Sequence, residues 1–454
     1  MRLSRFFIAV IALMLASCSP KMPASVAMQE LMLSEPAQLD GNYRPYVFTD
    51  WDDNAVERDY EAFYISHYGR HGSRFCTTQK QYDRVYNVLS AAAVEDNLTP
   101  VGESFWREYQ DLYKAADGNA ALLTDRGREE HSALGKEMYT HYSSVFKPGA
   151  KIFACSTPVE RVIESMNLFL GSLTAAVPDL DIAKRSEEED FRFLNGNHET
   201  NPRATEIDFN NAGSRNKWQE DWNALAKEVD VESFLKTVFK DVAKLRFKDN
   251  GLDWSYGLYN VLADGPCVGD EFATITRFIP IDVRYGLWRA YNLRNYKICG
   301  PDCKTTGGRQ WALREVLLRD FVDHADEDIE NGVAARLRFG HDWPCAALLP
   351  LMDAKGWNTP EDDPSKVENS FSCSNITMAT NLQMIFFRPK KGNGDYVVRL
   401  LFNGNDVDLP VRHFRRHYYR WSVLRPYLLR RMDIAVKILD GEMNARDALS
   451  GKSS

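Results

Sequence analysis

Positive charge is in short supply in this chain of 454 residues: 56 Lys and Arg face 64 Asp and Glu, leaving a formal charge of -8. A net negative molecule is not built to hold nucleic acid or an anionic membrane surface as its main partner, so any anionic ligand needs a locally basic pocket. Long apolar runs are also lacking. Beyond the first twenty residues no segment is long and apolar enough to span a bilayer. Cysteine is sparse, and near Cys299 and Cys303 no second Cys or His pair stands at ligand spacing, which excludes a structural zinc site there. No internal repeat or low-complexity tract is evident, so a solenoid is excluded. What remains is a chain 44% hydrophobic, long enough for two domains or for one domain with a large insertion.

The N-terminus reads as a targeting segment. Arg2 and Arg5 form a positive region, and Phe6 to Ala16 form an apolar stretch too short for a mature membrane helix. Leu15-Ala16-Ser17-Cys18 then has the form of a bacterial lipobox, in which cleavage before the cysteine leaves Cys18 as a lipidated first residue. The alternative is an ordinary secretory signal that contains a cysteine. Residues 1–18 are thus expected to be a lipoprotein signal with Cys18 as the lipidation site, and 19–42 a tether. The expected location is the bacterial cell envelope, anchored at the outer membrane and facing the periplasm or the surface. Disulfides persist in such compartments. Seven cysteines remain after Cys18, an odd number, and Cys299 with Cys303 are the expected bridge members, with Cys267 competing.

Strand-like runs at 62–67, 151–155, 336–339 and 396–401 alternate with helix-like segments, the pattern of an α/β layer architecture. Between 184 and 330 acidic and polar helical patterns dominate, so an inserted, mostly helical domain is expected there, between core segments 43–183 and 331–450. The basic stretch from Arg412 to Arg431 carries Trp421, Leu424, Tyr427 and Leu428 at helical spacing, and reads as a helix with a solvated basic face.

Three motifs carry chemistry. Tyr68-Gly69-Arg70-His71-Gly72-Ser73-Arg74 sets two guanidinium forks around one imidazole directly after an apolar run. Arginine matches phosphate oxygens with several donors in a plane, and a histidine kept neutral between such forks is a nucleophile for phosphorus. By itself the heptapeptide is equally compatible with a loop histidine flanked by surface arginines. The second motif, Ser156-Thr157-Pro158-Val159-Glu160-Arg161, follows a strand; Thr157 is expected as N-cap, Pro158 at N1 and Glu160 at N3, which puts Arg161 in the first turn of a helix whose N-terminus favours anions. The third, Gly340-His341-Asp342, again joins a strand end to a helix start. There His341 is a donor to phosphate oxygens and Asp342 a proton donor to a leaving oxygen. A competing cluster, Asp323-His324-Ala325-Asp326-Glu327-Asp328, lies in a polar helical stretch and reads as a solvated acidic face.

On these residues, together with Leu123-Thr124-Asp125-Arg126-Gly127 and Met378-Ala379-Thr380-Asn381-Leu382-Gln383, the chain resembles the two-domain branch of the histidine phosphatases, the acid phosphatase and phytase branch, and within it the multiple inositol polyphosphate phosphatases. The pieces stand in the family's order over most of residues 60–430. The resemblance implies a phosphoglycerate-mutase-like α/β core with an inserted helical domain. It also implies a nucleophile at His71, phosphate clamps at Arg70, Arg74, Arg161 and His341, and a proton donor at Asp342, with no metal and no cofactor. Two positions depart from the pattern. Cys76 stands where proline is common, and His341-Asp342 replaces the His-Ala-Glu usual in the inositol polyphosphate phosphatases.

The expected function is an exported phosphomonoesterase acting through a phosphohistidine on phosphorylated polyols, inositol polyphosphates such as phytate foremost. Its partners would be a small phosphorylated substrate and, through the lipid, a membrane; nucleic acid is not among them. The alternatives are a broad-specificity acid phosphatase, a phosphoryl-transferring mutase, and a non-catalytic anion-binding lipoprotein. For the inserted domain's grip on substrate, Lys184, Arg185, Arg192 and Lys217 are the candidates.

Overall fold

The protein is described from a computed structural model covering residues 24–49, 56, 58–196, 200–204 and 212–449. The expected signal sequence and Cys18 therefore lie outside the described residues, as does the side chain of Lys217.

One mixed sheet of eight strands organises the chain. Its strands are β1 (Tyr60–Arg70), β2 (Lys151–Ser156), β3 (Asp181–Arg185), β4 (Val333–Gly340), β5 (Asn381–Pro389), β6 (Val397–Phe402), β7 (Asn405–Asp406) and β8 (Tyr418–Arg420), in the spatial order β3-β2-β4-β1-β5-β6-β7 with β8 also on β6. The four strands from β3 to β1 run parallel, and β5 onward is antiparallel. The expected runs at 62–67, 151–155 and 336–339 fall on strands, and that at 396–401 falls on β6 one residue out of step. β3 and β5 were not foreseen: β3 has no fully buried residue, while β5, NLQMIFFRP, is buried on both faces and so shows no alternation.

Because β1, β2 and β4 are parallel, their C-terminal ends coincide. Arg70 pairs with Gly340, and Ser156 with Phe339, so His71, Thr157 and His341 emerge at one level of one sheet edge. Open α/β sheets bind ligands at this edge.

Among the longer helices are α1 (Ala24–Ser34), α2 (Gln79–Val94), α3 (Pro100–Ala116), α4 (Asp125–His141), α5 (Glu160–Ala176), α6 (Leu252–Ala263), α7 (Ile281–Cys299), α8 (Glu315–Glu330), α9 (Asp342–Leu351) and α10 (Trp421–Leu439). Alternate residues of β1 feed two cores: Tyr64 and Tyr68 join the larger, beneath the helical domain, and Ile65 joins the smaller, beneath α4 and α5. The described residues between 186 and 332 contain no strand, in agreement with a helical insertion.

Its borders differ from those expected. β3 continues to Arg185, past the expected start at 184. Helices α2 and α3, assigned by sequence to the core, pack on the insertion: Thr99 N donates to Val238 O at 3.0 Å, and a Cβ at Gly102 would stand 2.1 Å from that same oxygen. Helix α8, assigned to the insertion, instead covers the sheet. Periodicity reveals that a helix has a buried face but not which surface will cover it.

The acidic face of α8 is not simply solvated. Asp328 receives Arg336 Nε and Nη2, both at 2.7 Å, and Tyr64 Oη at 2.8 Å; Asp320 pairs with the fully buried Arg338. Asp326 accepts from Trp421 Nε1 at 2.9 Å, and His324 sits against Asp320. Within the basic stretch, only its second half is helical; Trp421, Leu424 and Leu428 of α10 are buried, and Arg431 is buried too, donating to Leu351 O at 2.7 Å and Ala448 O at 2.8 Å.

The expected tether is structured from Ala24. After α1, a 3-10 segment over Pro36–Tyr43 buries Leu39, Asp40, Gly41 and Asn42; Asp40 pairs with Arg284, and Tyr259 Oη donates to Leu39 O at 2.7 Å. Nor is there a disulfide among the seven described cysteines. Cys299 ends α7 with its thiol turned to Asn295 O at 3.3 Å, and Cys303 turns to Pro301 O at 3.5 Å. Each thiol thus faces its own stretch of backbone.

The Asp320–Arg338 pair yields a prediction. Burial raises the Asp320 pKa, but Arg338 and His324 outweigh it and bring the carboxyl down to about 2. A folded pKa below the unfolded one contributes stability above the unfolded value of 3.8 and loses it as pH falls through about 2. Asp320→Asn leaves the Arg338 charge buried and is expected to cost about 3–5 kcal/mol in urea unfolding at neutral pH, with the gap to wild type narrowing toward pH 2. A gap independent of pH would refute the ion-pair assignment.

Candidate functional site

The sheet edge opens into a cavity of about 370 Å³ lined by Arg70, His71, Arg74, Arg161, His341 and Asp342, together with Asn42, Tyr43, Thr77, Asn195, Tyr291, Arg294 and Trp343. All six site residues named from sequence, from three separate motifs, therefore meet on one space.

Backbone pairing fixes the loop after β1. Arg70 N donates to Thr380 O at 2.7 Å, His71 N to Gly340 O at 3.1 Å, and Ala379 N to His71 O at 3.0 Å. Helix α4 holds it from the far side. Glu130 accepts from Ser73 N at 2.7 Å and Ser73 Oγ at 2.8 Å, and His131 Nε2 donates to Arg70 O at 3.0 Å. Two glycines make this approach possible: a Cβ on Gly72 would stand 2.5 Å from Gly127 O, and one on Gly127 would stand 2.0 Å from Ser73 O. The segments around Gly72 and Gly127, remote in sequence, are two sides of one backbone contact.

His71 is 4% exposed. Its Nδ1 lies 2.9 Å from Gly72 O; a carbonyl only accepts, so the proton sits on Nδ1 and Nε2 keeps its lone pair. Burial, followed by the charges of Arg161, Arg70 and Arg74, holds the imidazole pKa well below its ordinary value, so the ring is neutral. His341 lies edge-on to it, ring centres 5.9 Å apart, with Nε2 3.3 Å from Thr157 Oγ1; burial and Arg161 lower its pKa to about 4.

The guanidinium groups differ in their partners. Arg70 Nη1 donates to Asn42 O at 2.6 Å, Thr377 O at 2.9 Å and Ile376 O at 3.3 Å, and Nη2 lies 3.2 Å from Asp342 Oδ2. Arg74 donates to Phe75 O at 2.9 Å, lies 3.6 Å from the buried Asp264, and stands over the Tyr43 ring. Arg161 makes no side-chain hydrogen bond or ion pair among the described residues, and burial with the neighbouring Arg74 and Arg70 lowers its pKa to about 10. Together with Arg294, four guanidinium groups thus line one cavity with a single carboxylate, an arrangement that attracts an anion.

Arg161 does stand in the first turn of α5, but the cap differs from the expected one. The helix starts at Glu160 with Val159 as N-cap and no side-chain cap bond. The Thr157 side chain faces His341 instead, and its N–H donates to Phe339 O at 3.2 Å.

Asp342 begins α9. Its Oδ2 accepts from Asn42 Nδ2 at 2.6 Å and its Oδ1 from Trp343 N at 3.0 Å. Burial opposes ionisation, but Arg70, His341 and the Trp343 N–H outweigh it, leaving the carboxyl below its usual range.

Several contributors escaped the sequence reading. Asn42 lay at the end of the supposed tether and Tyr43 at the first position of the expected core, and Glu130 and His131 in an otherwise ordinary helix. Among the expected substrate grips, Lys184 donates to Asn167 Oδ1 at 2.7 Å, Arg185 pairs with Asp190 at 2.7 Å and Arg192 is exposed; none of the three lines the cavity. The inserted domain's cation in the cavity wall is Arg294 of α7, which no local motif marks.

The fold is similar to that of the Bifidobacterium longum multiple inositol polyphosphate phosphatase in complex with inositol hexasulfate, with a TM-score of 0.69 and 16% identity over 85% of this chain and 96% of that one. The same enzyme in complex with phosphate also has a TM-score of 0.69, with 17% identity over 87% and 98% of the two chains. The phytase from D. castellii aligns with a TM-score of 0.63 and 16% identity over 92% of this chain and 91% of that one. No curated protein sequence matches the chain. The model of the histidine phosphatase superfamily (branch 2) matches residues 69–403, a span that runs from Gly69 through the Arg70-His71 and His341-Asp342 segments to the residue after β6, and the chain belongs to that family.

Proposed function

We propose that this phosphatase hydrolyses inositol polyphosphates, phytate among them, through a phosphohistidine on His71. The observation that carries the reading is a neutral, tautomer-fixed imidazole surrounded by three guanidinium groups in one cavity. The folds it resembles include a phosphatase in complex with inositol hexasulfate and a phytase, which agrees with the substrate class.

His71 Nε2 attacks phosphorus in line, forming the N–P bond as the bond from phosphorus to the leaving oxygen breaks. Arg70, Arg74 and Arg161 neutralise charge on the other phosphoryl oxygens, and the neutral His341 donates a hydrogen bond to them. The Asp342 proton goes to the departing alkoxide. Water then attacks the phosphohistidine, its proton passes to the Asp342 carboxylate, and inorganic phosphate leaves. Asp342 in the free protein is held ionised by Arg70; a bound phosphate shares the Arg70 charge and raises the carboxyl toward its acid form.

Purified protein is expected to release phosphate from inositol hexakisphosphate with a kcat/KM far above that for glucose 6-phosphate, and added salt is expected to narrow the gap by screening. His71→Ala should abolish both activities with the fold intact by circular dichroism. Equal constants for the two substrates would indicate a broad-specificity acid phosphatase.

The acid is tested by leaving group. Asp342→Asn is expected to slow inositol phosphate hydrolysis by roughly 10²–10⁴-fold, and p-nitrophenyl phosphate much less, in single turnovers. The wild-type kcat profile should fall on its alkaline side, since the acid form is required, and that limb should vanish in the variant. A uniform loss across leaving groups would reassign the proton donor.

We further propose that the protein is exported and held in the cell envelope by a lipid on Cys18. Among the described residues no helix is long and apolar enough to cross a membrane. Cys18→Ser is expected to move the protein from the membrane fraction to the soluble one; unchanged fractionation would overturn the lipobox reading.

A further inference from the structure

Asp264 belongs to the insertion, at the turn between α6 and the short helix Gly265–Val268, and lies outside the lining of the cavity. It is fully buried, and among the described residues it is the buried carboxylate with neither oxygen in a hydrogen bond. Its counterpart is Arg74, 3.6 Å away and too far for such a bond. The buried Asp328, by contrast, receives two donors from Arg336 and one from Tyr64. The turn that carries Asp264 is fixed: Cys267 N donates to Asp264 O at 2.9 Å, and a Cβ on Gly265 would stand 2.9 Å from Ile275 Cγ2.

The other groups around this carboxyl are Cys76 after β1, Tyr82 of α2, Tyr43 of the N-terminal segment and Cys267 of the short helix, with Arg70 as a weaker positive charge. Burial raises the pKa of all four weak acids, so each is neutral near neutral pH. The Tyr82 hydroxyl accepts from Cys76 N at 2.9 Å, and the Cys267 thiol donates to Tyr43 O at 2.9 Å. What keeps Asp264 ionised is therefore chiefly Arg74, and burial opposes it, raising the carboxyl from 3.8 to about 6. Arg74 lines the cavity, and Asp264 is its one carboxylate partner among the described residues. An anion in the cavity and Asp264 behind it thus compete for one guanidinium.

We infer that Asp264 is a positioning residue for Arg74, balancing the guanidinium while the cavity is empty and taking up a proton from solvent when an oxyanion binds there. The neutral acid leaves the whole Arg74 charge to the anion. Linkage then sets the pH dependence. At low pH the carboxyl is already protonated and the anion meets an uncontested Arg74; as pH rises through about 6 the empty site gains a competing charge, and the anion binds more weakly. This rests on the reading of the cavity as the phosphate site, and it gives that site a second carboxylate besides Asp342.

The probe is sulfate, a tetrahedral dianion that does not itself titrate between about pH 5 and about pH 8. Its binding to wild type and Asp264→Asn is measured by calorimetry in two buffers of different ionisation enthalpy, which counts the protons taken up. Asp342, His71 and His341 face the same anion, so the share of Asp264 is the difference between the two proteins. At about pH 8 Asp264→Asn is expected to bind sulfate about tenfold more tightly than wild type and to take up fewer protons on binding at about pH 6.5; at about pH 5 the two affinities are expected to agree. Weaker binding by the variant at both pH values shows Asp264 to be a structural support alone and overturns the inference, as does a proton count equal to that of wild type. Asp264→Ser repeats the comparison if the amide is not tolerated, and a wild type that takes up no proton at about pH 6.5 overturns the inference whatever the variants do. A wild type that binds no sulfate refutes the phosphate-site reading and this inference with it. Sulfate binding with an unaltered pH dependence in Asp264→Asn refutes only the role of Asp264.

Discussion

The governing constraint in this molecule is the confinement of three guanidinium groups and a neutral imidazole in one largely buried space. Like charges so placed repel, and each loses water on burial. The fold meets this cost unevenly. Arg70 is held by three carbonyls and by Asp342, Arg74 by one carbonyl and the Asp264 carboxylate, and Arg161 by no side-chain partner among the described residues. Burial, and then the residual field of the arginines, keeps His71 and His341 unprotonated, and that field leaves the pocket short of an anion. The same crowding that is unfavourable in the empty site thus becomes favourable when a phosphate enters.

Such a cluster needs a rigid frame, and the parallel register of β2, β4 and β1 supplies it. Three loops leave the sheet at the same level, and each is pinned by backbone bonds to a neighbour: His71 N to Gly340 O, Thr157 N to Phe339 O, and Ala379 N to His71 O. The Gly72–Gly127 approach then lets α4 press against the first loop without a side chain between them. The buried ion pairs under the sheet act at one remove. Asp320 and Asp328 of α8 compensate Arg338 and Arg336 on β4, the strand that delivers His341 and Asp342 to the site.

Legibility in the sequence followed the range of the forces involved. Strands with an apolar run and a motif at the end, such as 62–67 leading to Arg70-His71 and 336–339 leading to His341-Asp342, were readable because the chemistry sits next to the element that places it. β5 was missed because burial on both faces erases alternation, and β3 because its short, exposed edge has no apolar signature. The tether reading failed on Asp40 and Asn42, polar residues whose partners Arg284 and Asp342 are hundreds of residues away. The capping-box reading of Thr157 failed for a similar reason: a local pattern competed with a tertiary contact to His341, and the tertiary contact prevailed. Arg294 left no trace at all, since a cation on a long helix is ordinarily a solvated or paired one.

The Arg70–Asp342 contact links recognition to chemistry. With the site empty, Asp342 is an ion held by Arg70 and by Asn42, and in that form it has no proton to give. A phosphate drawn in by Arg161 and Arg74 competes for Arg70, and as Arg70 turns to it the carboxyl loses the attraction that kept it ionised. The buried setting then favours the neutral acid, because desolvation is the largest influence on this group. On the proposed mechanism the proton donor is therefore armed by the substrate itself. Asn42 is suited to both states, since its amide donates to the carboxylate and, once the acid has formed, still occupies the same oxygen without placing a charge beside it. On that mechanism a histidine nucleophile kept neutral and an acid protonated on binding are opposite demands on neighbouring groups, and one guanidinium shared between phosphate and carboxylate satisfies both.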